Sequence, residues 1–443
     1  MKIKLLNRLP KIFKMNRILL SLLCISTLGF NVYGQKLSKT ERKIINKVQS
    51  YEDESIDFLE QVVNINSGSL NLEGVRKVGS IFRGAFDGIG FETRWIDMPE
   101  EMNRAGHLFA SIKGKKGKKL LLIGHLDTVF EENSPFQRFE RKDSIAYGPG
   151  ANDMKGGNVV VLFALKALHD LNLLKNTTIT VAFTGDEEST GKPLSISRKD
   201  LIEAGKEADI ALGYENASGF DYATIARRGA SGWRVETQGK RAHSSGIFNE
   251  RVGAGAIFEM SRILDAFYNE VRGEEYLTFN PGTLLGGTFV EYDKQTSSGE
   301  VFGKSNVVAQ KAVVNGGLRF ISEEQKENTR AKMREIVAQN LPQTSASISF
   351  VDSYPAMGPS EGNLAVLAIL DQVSKDMGQG GVEPYDPLKR GAADISFVAD
   401  YTDGIDGLGT MGTGAHTPQE TVNLKTMNTL IQRSALLIYR LTR

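Results

Sequence analysis

The sequence predicts an α/β fold whose mixed, mostly parallel sheet is covered by helices. Two apolar runs, KKLLLIGHLDTV (118–129) and TTITVAFTGDEE (177–188), have the length of buried strands and end in polar residues. The segment between them, GGNVVVLFALKALHDL (156–171), has the spacing of a helix buried along one face. This strand, helix, strand order predicts parallel pairing with helices on both faces of the sheet.

A second pattern begins near residue 229. From there to residue 353 the strand and helix patterns follow the order βαββαβ, which predicts an inserted, ferredoxin-like α+β layer. Strand and helix alternation resumes after Pro355. We therefore expect one domain to be built from residues 35–228 and 354–443, with residues 229–353 inserted into it.

The first 34 residues differ from the rest of the chain. Six basic residues precede the apolar stretch ILLSLLCISTLGF, and small residues follow, which predicts a signal peptide (1–34) and a periplasmic or secreted protein. The stretch is short for a membrane anchor, and no other segment is expected to span a bilayer. Cys24, the only cysteine, lies inside it, so the mature chain is expected to have no disulfide.

Composition narrows the classes of partner. The 443 residues are 40% hydrophobic and 24% charged, which is typical of a globular protein large enough for two cores. Loss of six basic residues and no acidic one takes the formal charge from +1 to about −5. A nucleic-acid partner is therefore not expected.

Ligand-type side chains follow several of the predicted strands. Ligands of parallel sheets bind at the carboxyl ends of the strands, so we expect these side chains to meet. A pair of zinc ions requires imidazole and carboxylate ligands, including one carboxylate that bridges the two ions. The candidates are His125, Asp127, Asp153, Glu187, Glu188, Glu215 and His416.

Two of these carboxylates are adjacent in the chain. Consecutive residues of a strand point to opposite faces, so Glu187 and Glu188 can share one site only where the strand gives way to a loop. One carboxylate would then bind metal while the other faces a water molecule. The alternatives are a solvated acidic turn for the glutamate pair and a simple turn cap for Asp127.

The ordered motifs GHLDTV, YGPGANDMKGG, TGDEESTG, GYE, AHSSG and GAHTPQE resemble those of a known family. They are similar to the zinc metallopeptidases that include glutamate carboxypeptidase of the G type, aminoacylase and succinyl-diaminopimelate desuccinylase. The similarity covers essentially the whole mature chain, including the insertion. It implies a di-zinc catalytic domain and an inserted domain that acts as a lid and a dimerisation surface.

The resemblance also implies a set of metal ligands. His125 and Glu215 would bind one zinc ion, Glu188 and His416 would bind the other, and Asp153 would bridge them. Cobalt or manganese could substitute for zinc, because selectivity depends on availability as well as geometry.

Roles in catalysis are implied in the same way. Glu187 would be the general base, and Asp127 would hold the second ring nitrogen of His125. His243, in the inserted domain, would reach the active site of a partner subunit and help to stabilise the oxyanion. The family also has a cis peptide bond after the bridging aspartate, which here joins Asp153 to Met154.

Substrate recognition is implied by three residues. Arg319 and Arg390 are candidates for binding a substrate carboxylate, and Asn306 falls where relatives have an asparagine in the substrate site. The chain departs from its relatives at Ala309, where proline is common, and at Phe248 and its neighbours after His243. These departures leave the preferred side chain of the substrate open.

The resulting expectation is an exported di-zinc carboxypeptidase that acts on a peptide or N-acyl amino acid and forms a homodimer through the inserted domain. Glutamate is one candidate for the released amino acid, whose identity the sequence leaves open. The nearest alternatives are an N-acyl amino acid deacylase and a dipeptidase that use the same residues. A non-catalytic binding protein on the same fold is the alternative from a different class.

Overall fold

The computed structural model describes residues 37–294 and 296–443. The predicted signal peptide, with Cys24, lies outside the described residues and stays a prediction. Within the described part of the chain, no helix has the length and apolar character needed to cross a membrane.

Ten α-helices are described in chain order. They are α1 (Lys39–Gln49), α2 (Glu52–Val63), α3 (Leu72–Gly88), α4 (Lys155–Asp170), α5 (Leu194–Ser197), α6 (Lys199–Glu207), α7 (Ala256–Ala266), α8 (Glu323–Ala338), α9 (Glu361–Asp376) and α10 (Leu424–Leu441).

Eighteen strands are described in the same part of the chain. They are β1 (Glu92–Ile96), β2 (His107–Ile112), β3 (Lys116–His125), β4 (Glu140–Lys142), β5 (Ile145–Tyr147), β6 (Thr177–Thr184), β7 (Ile210–Gly213), β8 (Tyr222–Ala223), β9 (Gly229–Gly239), β10 (Thr278–Gly287), β11 (Phe289–Asp293), β12 (Ser298–Phe302), β13 (Lys311–Phe320), β14 (Thr344–Asp352), β15 (Glu383–Pro384), β16 (Asp403–Ile405), β17 (Gly412–Thr413) and β18 (Thr421–Asn423).

The central sheet has the strand order β1-β2-β6-β3-β7-β16. Strand β3 pairs in parallel with β6 and with β7, and β16 pairs in parallel with β7, whereas β1 and β2 run antiparallel at one edge. The predicted mixed, mostly parallel sheet is confirmed. Its parallel strands end at the same edge, where His125 lies opposite Thr184 in the register of β3 and β6.

Helix α4 connects β3 to β6 and is buried around almost its whole circumference. Val159, Val160 and Phe163 are each at most 1% exposed. A helix that is apolar on all sides belongs in a core, where each such side chain contributes about 1.5–3 kcal/mol relative to exposure. The sequence predicted that one face of this helix is buried, whereas the structure buries nearly the whole helix.

Glycine brings the start of α4 close to the end of β7. A Cβ atom at Gly157 would lie 2.0 Å from the carbonyl oxygen of Tyr214. Only a residue without a side chain allows this approach. The approach places the loop of Asp153, just before α4, beside Glu215, which follows β7.

A separate four-stranded antiparallel sheet has the order β10-β13-β9-β14. Along β9 buried and less buried residues alternate, and Trp233 and Val235 join a second hydrophobic cluster with Ile263 of α7. This is the period of a strand with one covered face. The ferredoxin-like layer is thus present, with one addition, the β11–β12 hairpin, which the sequence patterns did not predict. The exact domain boundaries stay a prediction.

The chain enters and leaves this sheet through two segments that lie side by side. Arg227 and Met357 exchange backbone hydrogen bonds of 2.8 and 2.9 Å. The Ala230 amide donates to the carbonyl oxygen of Tyr354 at 2.8 Å. We call residues 227–230 and 354–357 the paired joint.

Candidate metal centre

Five segments of the chain, each a strand end or a loop, bring the five predicted ligands together at the carboxyl edge of the central sheet. His125 Nε2 lies 3.4 Å from Asp153 Oδ1 and 3.6 Å from Glu215 Oε1. His416 Nε2 lies 3.1 Å from Asp153 Oδ2 and 3.2 Å from Glu188 Oε2. The two carboxylate oxygens of Asp153 therefore face two different imidazoles.

The donor atoms fit a divalent metal. One ligand atom each from His125, Asp153 and Glu188 lies within 4.8 Å of the other two. His125 Nε2 is buried and has no hydrogen-bond partner among the described residues. Such an atom is costly unless something satisfies it, and imidazole with carboxylate is a typical zinc donor set.

Asp127 holds both a proposed metal ligand and the loop of the two glutamates by hydrogen bonds. The ring Nδ1 of His125 donates to the Asp127 carbonyl oxygen at 3.0 Å, and that bond leaves the lone pair of Nε2 facing the cluster. The Asp127 carboxylate accepts hydrogen bonds from the amides of Glu187 and Glu188, each at 3.0 Å, and from Ser69 Oγ at 2.5 Å. Asp127 thus holds the glutamate loop as well as the histidine, which is more than the sequence predicted.

The loop of Asp153 is held by a residue that the sequence analysis missed. The buried carboxylate of Glu420 accepts hydrogen bonds from the amides of Asn152 at 2.8 Å and Asp153 at 3.0 Å. Burial raises the pKa of Glu420 to about 7, although these hydrogen bonds oppose that shift. The sequence did contain one signal for Glu420, which is its position at the end of the GAHTPQE motif.

The peptide bond between Asp153 and Met154 is cis, as the resemblance implied.

Acidic groups crowd the centre, and burial together with neighbouring negative charge raises the pKa of its glutamates. Burial, followed by the charge of Asp153, raises the pKa of Glu215 to about 8. Burial also holds the pKa of Glu187 well above its usual range. Hydrogen bonds to Asp153 and Glu188 raise the pKa of His416 to about 11. A divalent cation would offset this negative charge directly.

A buried ion cluster supports the start of the glutamate loop. The guanidinium of Arg198 binds Asp186, and its Nε donates to Asp394 at 2.8 Å. Asp394 also accepts a 2.5 Å hydrogen bond from Thr184 Oγ1 at the end of β6. The pairing of Arg198 with Asp394 has no signal in the linear sequence, because the two residues are 196 positions apart.

Arg390 is next to the cluster. Its guanidinium donates to the side chain of Asn216 at 2.8 Å and to the Asn216 carbonyl oxygen at 2.9 Å. Asn216 directly follows Glu215. Burial, followed by the charge of Arg227, lowers the pKa of Arg390 to about 10.

The remaining predicted residues lie on the separate sheet and its loops. His243 is exposed, its Nδ1 contacts Ser245 Oγ at 2.8 Å, and none of its described hydrogen bonds reaches the cluster. Asn306 lies beside this loop and accepts a backbone hydrogen bond from Ser244 at 2.9 Å. Arg319 is exposed on β13. None of the described hydrogen bonds or ion pairs of these three residues joins them to the metal cluster.

A family model for peptidase family M20/M25/M40 matches residues 121–440, well over half of the chain. The chain belongs to this family. The predicted family membership is confirmed, and this M20 protein is a metal-dependent hydrolase.

Two curated relatives extend over most of the M20 chain. It is 27% identical over 417 residues to carboxypeptidase G2 of Pseudomonas sp. (strain RS-16), covering 92% of this chain and 94% of that one. It is 24% identical over 392 residues to a probable succinyl-diaminopimelate desuccinylase of Staphylococcus aureus (strain MRSA252), covering 80% and 88%.

The M20 fold is shared with a solved aminopeptidase, PepT of Bacillus cereus ATCC 10987. The two structures superpose with a TM-score of 0.72 at 17% sequence identity, covering 88% of this chain and 99% of the other. At this identity the similarity establishes the fold alone.

Proposed function

We propose that this chain is an exported di-zinc amidohydrolase that cleaves the amide bond next to a C-terminal amino acid. The observation that carries the proposal is the arrangement of Asp153, whose two oxygens lie 3.4 Å from His125 and 3.1 Å from His416. A carboxylate that bridges two metal ions needs one oxygen atom facing each ion. Similarity to carboxypeptidase G2 over 92% of the chain supports the substrate class.

Each ion would have three ligands from this chain. His125 and Glu215 would hold one ion, His416 and Glu188 would hold the other, and Asp153 would contact both. Three protein ligands leave a position open, which is typical of catalytic rather than structural zinc sites. The choice of zinc rests on the imidazole and carboxylate donors, and cobalt or manganese could replace it.

Glu187 is the proposed general base. The metal ions, when bound, would polarise the scissile carbonyl group and lower the pKa of a water molecule. Among the described residues no hydrogen bond holds the Glu187 carboxylate, whereas Asp127 fixes the Glu187 amide at 3.0 Å. Glu187 is therefore anchored by its backbone and free to take the proton of the attacking water and pass it to the leaving amine.

Three further residues are proposed to contact the substrate. A fourth residue is proposed to act in the active site of a partner subunit. Arg390 lies beside Glu215 through Asn216, so its guanidinium is near the cluster for binding a carboxylate. Arg319 lies on the separate sheet and Asn306 lies in the loop before β13, and both would meet the substrate from that side. His243 would stabilise the oxyanion in the active site of a partner subunit.

A homodimer through the separate sheet is part of the proposal. Strand β10 is at the edge of that sheet. The rings of Phe248 and Phe258 contact each other in a tilted arrangement, with centroids 5.5 Å apart, and are 68% and 51% exposed. Exposed aromatic pairs next to an edge strand favour association. Sedimentation should show a dimer that Phe258→Glu weakens, and a wild-type monomer at all concentrations would contradict it.

A panel of substrates tests the proposed activity. Zinc-loaded protein should release the C-terminal amino acid from N-blocked dipeptides, as measured by amino acid analysis. Cleavage of free dipeptides alone would indicate a dipeptidase. Cleavage of N-acyl amino acids alone would indicate a deacylase, the alternative that the desuccinylase relative supports. Folded, metal-loaded protein that cleaves none of the three would favour a binding protein.

Export is tested by the mature N-terminus. We expect the chain recovered from the periplasm or the medium to begin near Gln35, because small residues follow the apolar stretch there. Mass spectrometry of the purified protein measures this directly. Met15 would begin a shorter signal of the same kind, so an intact Met1 or Met15 on cytoplasmic protein would contradict export. A lipid on Cys24 would indicate a membrane-attached form.

A further inference from the structure

The loop of the two glutamates is tied to a tyrosine from a distant segment. Tyr354 donates its hydroxyl hydrogen to the carbonyl oxygen of Glu187 at 2.7 Å, and the same hydroxyl lies 3.0 Å from Thr190 Oγ1. Thr190 also donates to the Glu187 carbonyl oxygen, at the longer distance of 3.3 Å. Among the described residues, two hydrogen bonds hold this carbonyl group, and Tyr354 makes the shorter one.

Packing holds the tyrosine ring in place. The rings of Tyr354 and Phe397 lie 5.0 Å apart between centroids, and the Arg198 guanidinium lies 5.3 Å from the centre of the Phe397 ring. Arg198 is itself fully buried and bound to Asp186 and Asp394. The hydroxyl of Tyr354 is thus presented by a packed aromatic pair rather than by a mobile side chain.

Tyr354 belongs to the paired joint, through which the chain enters and leaves the separate sheet. On the other side of this joint, Arg227 Nε donates to Asp406 Oδ2 at 2.7 Å, and Asp406 Oδ1 accepts from the Glu215 amide at 3.3 Å. Both segments of the joint therefore reach a loop of the metal centre. One reaches the loop of Glu187, and the other reaches Glu215.

We propose that Tyr354 is a positioning residue for the hydrolytic reaction, which fixes the backbone of Glu187 to the paired joint. The proposal rests on the proposed role of Glu187 as general base. A general base must lie within hydrogen-bond reach of the proton that it takes, and a displacement of about 1 Å can cost roughly 100-fold in rate. Removal of one of two backbone restraints should have a smaller effect.

Tyr354→Phe tests the proposal because it keeps the ring against Phe397 and removes only the hydroxyl. We expect kcat to fall by about 10-fold while KM changes less than about 2-fold, since the substrate contacts remain. Metal content, measured by elemental analysis, should equal that of the wild type. Peptides covering residues 185–191 should exchange amide hydrogens faster, as measured by mass spectrometry.

A double-mutant cycle separates positioning of Glu187 from a general loss of stability. In a Glu187→Gln background, Tyr354→Phe should have almost no further effect on kcat, because the base that it positions is already gone. Tyr51→Phe is the matched control, since it removes another partly buried tyrosine hydrogen bond, to Asp170, and should leave kcat unchanged.

The outcomes distinguish this proposal from the proposed function. Normal kcat in Tyr354→Phe beside an impaired Glu187→Gln enzyme would overturn the role of Tyr354 alone. An equal loss in both backgrounds would also overturn it, because the effect would not pass through Glu187. A Glu187→Gln enzyme with the full wild-type rate would instead contradict the general base and, with it, the proposed function.

Discussion

Glu187→Gln is expected to lower kcat by roughly 100-fold or more, the range for loss of a general base. Glutamine has nearly the same size but cannot accept the proton. The Glu187 amide would still donate to Asp127, so the loop should keep its position. Steady-state kinetics on the substrate found by the panel, with elemental analysis of the same sample, measures both quantities. Metal content should stay near that of the wild type.

The neighbouring residue is the matched control. Glu188 Oε2 lies 3.2 Å from His416 Nε2, so Glu188→Gln removes a proposed ligand and should lower the metal content. The two variants differ by one position and by no charge. If the Glu187 variant lost metal and the Glu188 variant kept it, the roles would be exchanged. If neither variant changed the rate, the acidic turn of the alternative interpretation would be correct.

Asp153→Asn is expected to have a still larger effect, because Asp153 is the proposed bridge between both ions. Loss of a residue that merely supports a ligand typically costs 10–100-fold in metal affinity or activity, and loss of a shared ligand should exceed about 100-fold. Elemental analysis should find both ions depleted, and kcat should fall accordingly. Circular dichroism checks that the variant is folded.

His416→Ala provides the comparison for that variant. His416 is 57% exposed and lies near Asp153 and Glu188, whereas His125 and Glu215 lie on the other side of Asp153. We expect His416→Ala to deplete one ion more than the other, with roughly one ion per chain remaining. Equal retention of both ions by Asp153→Asn would contradict the bridge. A folded wild-type protein that binds no metal after incubation with zinc would contradict the whole proposed mechanism.

Local sequence patterns were sufficient to predict the central sheet. The apolar runs ending at His125 and Thr184 read as strands because buried parallel strands need continuous apolar sequence. The residues just after such strands must lie at one edge of the sheet, so His125, Glu188 and Glu215 were predictable as neighbours. The β11–β12 hairpin was not predictable, because its strands are short and largely exposed and carry little burial pattern.

The loops of the metal centre are held by hydrogen bonds between residues that are far apart in the chain. Glu420 reaches the loop of Asp153 across 267 positions, and Asp394 reaches Arg198 across 196. Neither pairing leaves a periodic signal, since a hydrogen bond between distant segments requires no spacing in the sequence. The sequence by itself therefore determined which side chains stand at the carboxyl ends of the strands and which chemistry they support. Only the tertiary structure decided which residues hold them in place, because packing brings those segments together after the local elements have formed.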